Sequence, residues 1–288
     1  MEKRLPPLRV VAVTGPTATG KTRLAVELAR LFRGEIVSVD SRQVYRGMDL
    51  GTGKDLADYA EIPYHLIDIA DPGEVYDLSR FVRDAWRAMA AIDARGRLPV
   101  LCGGTALYLD ALLRGYRLPG GRRAPDAPHH RTADDRNAPP SFTPPRGIEA
   151  LTLGVYYPRE VVRRRIEERL DQRFAAGMID EVRRLHEAGI SYEKLEFFGL
   201  EYREIARFLQ GECDFEGLRR QLLDRIRQFA KRQDVFFRKM EREGLAIHWC
   251  RAGRDPDPAE LVQAFLEGRP LPPPALRMID IRYGKASA

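Results

Sequence analysis

The sequence predicts an α/β fold in which a parallel sheet is flanked by helices and joined to a C-terminal helical portion. Up to residue 116, short runs of β-branched residues alternate with segments of helical periodicity, as strands and crossover helices do. Beyond residue 148 the helical pattern dominates. The 288 residues are 44% apolar and 31% charged, which suits a globular chain with a large core. We expect that core to comprise residues 1–116 and 148–288.

Short apolar runs and apolar residues spaced along one helix face define the individual elements. Strands are predicted at Arg9–Thr14, Glu35–Val39, His65–Ile69 and Leu98–Cys102, and helices at Lys21–Phe32, Tyr76–Ala94 and from Thr105 onward. Residues 117–147 are rich in Pro and Arg and poor in aliphatic residues, which predicts a shortened, disordered insertion. The remaining residues predict strands at Leu151–Tyr156 and Leu245–Trp249, and helices at Arg159–Ala176, Ile179–Ala188, Leu200–Leu209, Phe215–Glu243 and Pro258–Glu267.

A phosphate-binding loop follows the first predicted strand. The residues Gly15, Pro16, Thr17, Ala18, Thr19, Gly20, Lys21 and Thr22 fit the pattern GxxxxGK[ST] between a strand and a helix. Backbone N–H groups of such a loop cradle phosphates, Lys21 reaches the terminal phosphate, and the Thr22 hydroxyl can bind Mg²⁺. The fold is therefore predicted to be P-loop NTPase-like. The loop could hold a nucleoside triphosphate such as ATP, or only the pyrophosphate of another molecule.

Basic residues concentrate in one predicted helix. The chain has a net charge of +6, and the segment Arg219–Lys239 alone carries eight Arg or Lys and two Asp. Acids are scarce there, so a nucleic-acid face is favoured over a merely solvated one. The apolar stripe of this helix is predicted to comprise Leu222, Ile226, Phe229, Phe236 and Met240. Its polar face is predicted to comprise Arg220, Arg227, Lys231 and Arg238.

Several classes of protein are disfavoured by what the sequence lacks. Cys102, Cys213 and Cys250 lie far apart without CxxC spacing, so neither a disulfide framework nor a zinc site is expected. The segment Met1–Arg9 contains no apolar signal region, and no apolar run approaches the length of a membrane span. We therefore expect a cytoplasmic protein. We also expect a monomer.

A block from Asp40 to Thr52 (DSRQVYRGMDLGT) follows the second predicted strand. Together with the phosphate-binding loop, it closely resembles the tRNA dimethylallyltransferases, or tRNA isopentenyltransferases. The resemblance covers nearly the whole chain except about residues 117–150. Further matching segments are His65–Asp68 (HLID), Pro99–Tyr108 (PVLCGGTALY), Gly199–Arg203 (GLEYR) and Arg227–Gln233 (RQFAKRQ).

The resemblance implies a donor, an acceptor and roles for particular residues. It implies dimethylallyl diphosphate as donor and, as acceptor, adenosine 37 of a tRNA that also carries adenosine 36. Asp40 ends a strand beside the loop, where its carboxylate could take the proton of the exocyclic amine, although Asp is also a common helix N-cap. Thr105 resembles the family threonine near the bridging oxygen and could also cap the following helix. Residues expected to contact tRNA are Asp40, Ser41, Arg42, Gln43, Arg227, Lys231 and Arg232.

The sequence departs from the family pattern in one region. Family members usually carry a helical insertion and then an Arg-Ala-Leu-Glu segment whose arginine helps to hold the diphosphate; neither is found here. Arg146, Arg159 or Arg163 could substitute for that arginine, and Asp68 offers a weak Walker-type alternative for Mg²⁺. Three other functions stay open: a P-loop nucleotide or small-molecule kinase, a prenyltransferase acting on free adenine nucleotides, and a non-catalytic tRNA-binding paralogue.

Overall fold

A computed structural model describes residues 6–115, 144 and 146–281. Its sheet has six strands, all parallel, in the order β3-β2-β4-β1-β5-β6. The predicted parallel α/β fold is therefore confirmed. The strands are β1 Leu8–Thr14, β2 Gly34–Ser38, β3 Tyr64–His65, β4 Leu98–Cys102, β5 Ile148–Tyr156 and β6 His248–Arg251.

Helices cover both faces of the sheet and continue beyond it. The described helices are α1 Lys21–Leu31, α2 Leu78–Ala94, α3 Ala106–Leu113, α4 Arg159–Ala175, α5 Met178–Glu187, α6 Tyr192–Phe197, α7 Leu200–Leu209, α8 Phe215–Arg242 and α9 Pro258–Leu266. Short 3-10 helices lie at Leu56–Tyr59 and Met278–Asp280. Among the described residues, none of the helices combines the length and apolar character that crossing a bilayer requires.

The central strand shows how two cores form on one sheet. Val10 and Ala12 of β1 point into a core that α2, α3 and the C-terminal helices cover. Val11 and Val13, the alternate residues, point into a second core beneath α1 and α9. Burial on both faces explains why the strands read as continuous apolar runs rather than alternating patterns.

Two predicted strands have different bounds in the structure. The third strand, expected at His65–Ile69, is limited to Tyr64–His65 because Leu66 and Asp68 adopt positive φ angles of 63° and 56°. Those left-handed residues turn the chain away from β2. The last strand lies at His248–Arg251 rather than Leu245–Trp249, because the Leu245 N–H still bonds the end of α8, at Met240 O.

The buried stripe of α8 also differs from the prediction. Phe229 is 39% exposed, whereas Gln233 and Phe237 are buried. A residue three or four positions on lies on the same helix face, and the stripe runs through Ile226, Ala230, Gln233 and Phe237. Apolar periodicity alone could not predict that a polar residue, Gln233, belongs to this buried stripe. The predicted insertion, 117–147, lies outside the described residues except for positions 144, 146 and 147.

We predict that Phe81→Ala lowers the free energy of unfolding by about 3–5 kcal/mol. Phe81 of α2 is completely buried, and its ring stacks on Tyr108 of α3 with 4.2 Å between centroids. Leu31→Ala is the control, since Leu31 is 60% exposed and its removal should change stability by about 0.5 kcal/mol or less. Urea denaturation measures both, and equal costs would contradict this packing.

Candidate active site

The phosphate-binding loop lies at the carboxyl end of β1. Gly15 has a φ angle of 150°, and a Cβ there would lie 2.9 Å from Val155 O, so the position needs glycine. The Thr19 hydroxyl donates to Pro16 O at 2.8 Å and closes the loop internally. Gly20 adopts the left-handed conformation immediately before α1. The backbone N–H groups at the start of α1 are thereby available to an anion.

Gln233 of α8 joins this loop to the turn after β4. Its Oε1 accepts from the Thr17 N–H at 2.9 Å, and its Nε2 donates to Gly104 O at 2.9 Å. A Cβ at Gly104 would lie 2.6 Å from Nε2, which explains the glycine. The last residue of the RQFAKRQ segment is therefore buried at the active site, while Lys231 and Arg232 directly before it are exposed.

Lys21 and Asp40 are charged groups in the same buried region. Burial lowers the pKa of Lys21 and raises the pKa of Asp40, and the attraction between the two charges opposes each shift. The Arg42 backbone N–H also stabilises the carboxylate, at 2.9 Å from Asp40 Oδ1. A half-buried carboxylate with a raised pKa is suited to accept a proton during catalysis.

Neither Asp40 nor Thr105 makes the helix-capping side-chain bond that the sequence also allowed. Asp40 caps no helix: its carboxylate closes a turn with Arg42, and turns follow it. Thr105 precedes α3 but forms no side-chain capping bond; its Oγ1 instead accepts from the Ser41 N–H at 3.2 Å. The strand ends that carry Asp40 and Thr105 are therefore directly connected.

Gln43, a predicted tRNA contact, is held within the protein by both ends of its amide. Its Oε1 accepts from the Ser38 hydroxyl at 2.9 Å, and its Nε2 donates to Gly53 O at 3.1 Å. One Nε2 hydrogen and one Oε1 lone pair remain for a ligand. These bonds also establish which end of the amide is the donor, so the edge that Gln43 presents is fixed.

The segment after Asp40 is held by two buried charged residues. Lys54 is completely buried and donates to Tyr45 O at 2.7 Å and to Asp49 at 2.6 Å. It also pairs with Asp68, and the weak alternative that Asp68 binds Mg²⁺ stays a prediction. An ammonium group with no access to water needs these oxygen partners, and Asp68 supplies one of them.

Glu181 of α5 is the second of these residues. Its two carboxylate oxygens accept from the backbone N–H groups of Asp49, Leu50 and Gly51 at 2.7–3.0 Å. Tyr202 donates its hydroxyl to the same carboxylate at 2.6 Å. Bonds to a charged acceptor are stronger than neutral ones, so this helix fixes the loop firmly beside the site.

Two arginines of α4 were missed at the level of sequence. Arg169 and Arg173, one helical turn apart, face the site; burial, reinforced by Arg173, lowers the pKa of Arg169 to about 9. Both lie beside Asp55, with Arg169 in direct contact. Arg173 packs so closely on Gly53 that any Cβ there would collide with its guanidinium. Their i, i+4 spacing places both arginines on one face of α4. The sequence does not show that this face packs against the loop that contains Gly53.

A narrow cleft joins these groups. It is lined on one side by the loop residues Thr17 and Ala18, and on another by Arg169, Arg173 and Glu201. Burial raises the pKa of Glu201, and the two arginines oppose that shift. The remaining wall is apolar and consists of Ile166, Leu170, Met178 and Ile226. The cleft thus brings cationic groups and an apolar wall together around a cavity of about 20 Å³.

Arg146, Arg159 and Arg163, which the sequence offered in place of the missing family arginine, lie outside this cleft. Arg146 pairs with Asp93 at 2.5 Å, just before β5 begins, and is therefore at the opposite end of the sheet. Arg159 and Arg163 line a separate cavity of about 490 Å³ between β5, α4 and α8, which reaches Pro16 of the loop. Arg169 and Arg173 instead line the cleft itself. None of the three predicted substitutes therefore lies in the cleft.

The basic helix α8 is partly neutralised by its neighbours. Arg227 pairs with Glu167 of α4 at 3.2 Å, and Arg219 pairs with Asp171 of α4 at 2.8 Å. Arg238 donates to Ile281 O at 2.8 Å and so binds the chain itself. The predicted segregation of charge is therefore weaker than α8 alone indicated, because acids come from another helix. In the part of the chain that the structure describes, exposed Lys231 and Arg232 have no carboxylate within 4.0 Å.

The fold and the site together define a P-loop protein with a cradle for phosphates beside a half-buried carboxylate. Comparison with known proteins specifies the family. Residues 43–138 and 122–240 match the family IPP transferase, and residues 8–62 match Isopentenyl transferase. The chain belongs to the IPP transferase family, whose relatives include the tRNA dimethylallyltransferases.

Relatives and solved structures agree with this assignment. The chain is 44% identical over 284 residues to tRNA dimethylallyltransferase 2 of Trichlorobacter lovleyi, covering 86% of this chain and 93% of the relative. It is 45% identical over 282 residues to tRNA dimethylallyltransferase 1 of Geotalea daltonii, covering 86% and 92%. The tRNA isopentenylpyrophosphate transferase of Bacillus halodurans superposes with a TM-score of 0.74 at 29% identity, over 91% of this chain and 96% of that one. A eukaryotic dimethylallyltransferase acting on tRNA has the same fold, with a TM-score of 0.76 at 22% identity over 91% and 80%.

We predict that Gln233→Ala weakens the binding of Mg²⁺-pyrophosphate by about tenfold, because the Thr17 N–H and Gly104 O lose their shared partner. Isothermal titration calorimetry measures the affinity. Gln221→Ala is the matched control, since Gln221 is exposed on the same helix. Equal affinities for the two variants would contradict the role of Gln233 in shaping the loop.

Proposed function

We propose that this enzyme transfers a dimethylallyl group from dimethylallyl diphosphate to the exocyclic amine of adenosine 37 in tRNA, releasing diphosphate. The observation that carries the proposal is the position of the Asp40 carboxylate, which interacts electrostatically with Lys21 of the phosphate-binding loop and with Arg169 and Arg173. The two arginines also line the cleft that has the apolar wall. Membership of the IPP transferase family and the names of the relatives support the same reaction.

The groups in and around the cleft match both chemical parts of the donor. Loop N–H groups, Lys21 and the guanidinium groups of Arg169 and Arg173 would bind the diphosphate. The apolar wall would bind the five-carbon chain, which has no polar atom to satisfy. Arg169 and Arg173, rather than Arg146, Arg159 or Arg163, would thus provide the positive charge that holds the diphosphate.

The residues present also fit a magnesium ion. Thr22 lies at the start of α1, and its hydroxyl has two lone pairs that a cation can use. In residues 6–115, 144 and 146–281, no group of three His, Cys, Asp or Glu forms a metal site. That is compatible with Mg²⁺, which commonly takes most of its ligands from phosphates and water. When bound, Mg²⁺ would offset negative charge on the departing diphosphate.

The chemical step uses groups at two neighbouring strand ends. The amine nitrogen forms a bond to C1 of the dimethylallyl group while the bond from C1 to the diphosphate oxygen breaks. Asp40 takes the proton that the nitrogen loses. Lys21, the loop N–H groups and the Thr105 hydroxyl, which lies beside Asp40 through Ser41, would stabilise charge on the leaving oxygen.

Surface residues near the site support an RNA acceptor. Ser41 and Gln43 follow Asp40 directly, and the fixed amide of Gln43 is suited to reading the edge of an extruded base. Exposed Lys231 and Arg232 precede Gln233 on α8, so a phosphate backbone bound there would lie beside the loop that Gln233 holds. Arg227 would have to exchange its partner Glu167 for a phosphate.

The test is incubation of the protein with radiolabelled dimethylallyl diphosphate, Mg²⁺ and unmodified tRNA carrying adenosines 36 and 37. Label in the tRNA supports the proposal. Label in free adenine nucleotides instead would indicate the small-molecule prenyltransferase, and ATP turnover with a small acceptor would indicate the kinase. Binding of tRNA without any label in it would indicate a non-catalytic paralogue.

We predict that Asp40→Asn abolishes transfer and leaves tRNA affinity within about threefold, because the amide keeps the shape but accepts no proton. In the wild type, the single-turnover rate should fall as the pH falls through the raised pKa of Asp40, at a higher pH than for an ordinary aspartate. Arg46→Ala is the control, since Arg46 lies in the same loop but pairs with Asp71 in solvent. Turnover by Asp40→Asn at the wild-type rate would exclude this residue as the base.

We predict that Lys231→Ala weakens tRNA binding and flattens its log–log dependence on salt by about one unit, because one phosphate contact is lost. Lys239→Ala removes the same charge from the same helix, but Lys239 lies 3.9 Å from Glu243 and should change the slope less. Filter binding between about 50 and 200 mM salt measures both slopes. An unchanged slope for Lys231→Ala would show that this residue contacts no phosphate.

A further inference from the structure

The cleft beside the phosphate-binding loop contains an acid among its cationic groups. Glu201 lies in the first turn of α7. It lines the cleft together with the loop residue Thr17 and with Arg169 and Arg173. Its carboxylate also interacts electrostatically with that of Asp40. An anion bound between the loop and the two arginines would therefore face a negative charge, which opposes tight binding.

Pairing with the two arginines does not explain the presence of this acid. Among residues 6–115, 144 and 146–281, the carboxylate that pairs with Arg169 and Arg173 belongs to Asp55, and no ion pair within 4.0 Å includes Glu201. The Arg173 Nε atom is buried and has no hydrogen-bond partner in the same part of the chain. A buried donor costs free energy until an acceptor reaches it. Glu201 therefore leaves Arg173 in need of an acceptor, which a bound anion would supply.

The surroundings of Glu201 favour its charged form against the effect of burial. Burial raises the pKa of this carboxyl, but Arg173, the backbone N–H of Glu201 itself and Arg169 oppose the shift. The first turn of a helix also favours an acid, because its unpaired N–H groups carry partial positive charge. The cleft thus holds a carboxylate that neighbouring cations stabilise without forming an ion pair with it.

We propose that Glu201 lowers the affinity of the cleft for diphosphate and so promotes release of this product. The inference rests on the proposed function, in which the bond from C1 to the diphosphate oxygen breaks and the electron pair stays with that oxygen. Before it takes up a proton, the released diphosphate carries one negative charge more than the same group carries in the donor. Repulsion from a fixed carboxylate increases with the charge of the ligand, so Glu201 acts against the product more than against the donor.

The first test is isothermal titration calorimetry with Mg²⁺-pyrophosphate. Glu201→Gln keeps the shape of the side chain and removes its charge, and we expect it to tighten pyrophosphate binding by about tenfold. Glu201→Asp keeps the charge and should bind pyrophosphate more weakly than Glu201→Gln does. The matched control is Glu193→Gln, since Glu193 is exposed on α6 and does not line the cleft. This control should leave the affinity unchanged.

The second test compares the first turnover with later ones, using radiolabelled dimethylallyl diphosphate and tRNA in excess over the enzyme. In Glu201→Gln, the first turnover should be faster than in the wild type, because no carboxylate opposes the charge that develops on the leaving oxygen. Later turnovers should be slower, because retained diphosphate then limits the rate. The result is a burst of labelled tRNA that is larger than in the wild type or in Glu193→Gln.

Several outcomes would overturn the inference. Pyrophosphate affinity that is unchanged or weaker in Glu201→Gln would do so, as would an equal change in Glu193→Gln. Tighter binding without a larger burst would overturn the role in product release. Loss of the first turnover in Glu201→Gln would also contradict the inference, because Glu201 would then be needed for the chemical step. The titration contains neither donor nor tRNA, so it decides the effect of Glu201 on affinity even if the proposed reaction does not occur.

Discussion

The side-chain amide of Gln233 is the contact on which the arrangement of the site depends. It joins the Thr17 N–H of the phosphate-binding loop to Gly104 O of the turn after β4. Gln233 lies on α8, the longest of the described helices. An amide can donate and accept at once, so one side chain fixes two loops relative to each other. Because Lys231 and Arg232 precede Gln233 directly, the helix that carries the proposed RNA surface also contacts the phosphate-binding loop.

Buried charges provide the second constraint. Lys54 and Glu181 fix the loop after Asp40 by bonding its backbone and its acids, and neither is exposed enough to serve a ligand. For Lys21 and Asp40, by contrast, burial shifts the pKa in the direction that favours the neutral form of each side chain, and their mutual attraction only opposes that shift. Charges that the fold leaves partly uncompensated are those that an anionic donor and a proton-bearing acceptor would satisfy.

Much of this could be predicted from the sequence because the relevant signals are local. The strand–GPTATGKT–helix pattern fixes the loop, and the block after Asp40 is specific enough to indicate the family. Contacts between distant elements could not be predicted. The pairing of Arg227 with Glu167, the packing of Arg173 on Gly53 and the burial of Gln233 each depend on how α4 and α8 meet. Periodicity places a residue on a helix face but does not say what that face contacts.

The most direct test of the central claim, that Asp40 and the loop act on one adenosine, is to map the product. Unmodified tRNA would be incubated with dimethylallyl diphosphate and Mg²⁺, digested to fragments, and analysed by mass spectrometry. The account predicts the mass of one added dimethylallyl group on the fragment containing adenosine 37, and on no other fragment. An unmodified tRNA, or a dimethylallyl group on other nucleotides, would contradict it.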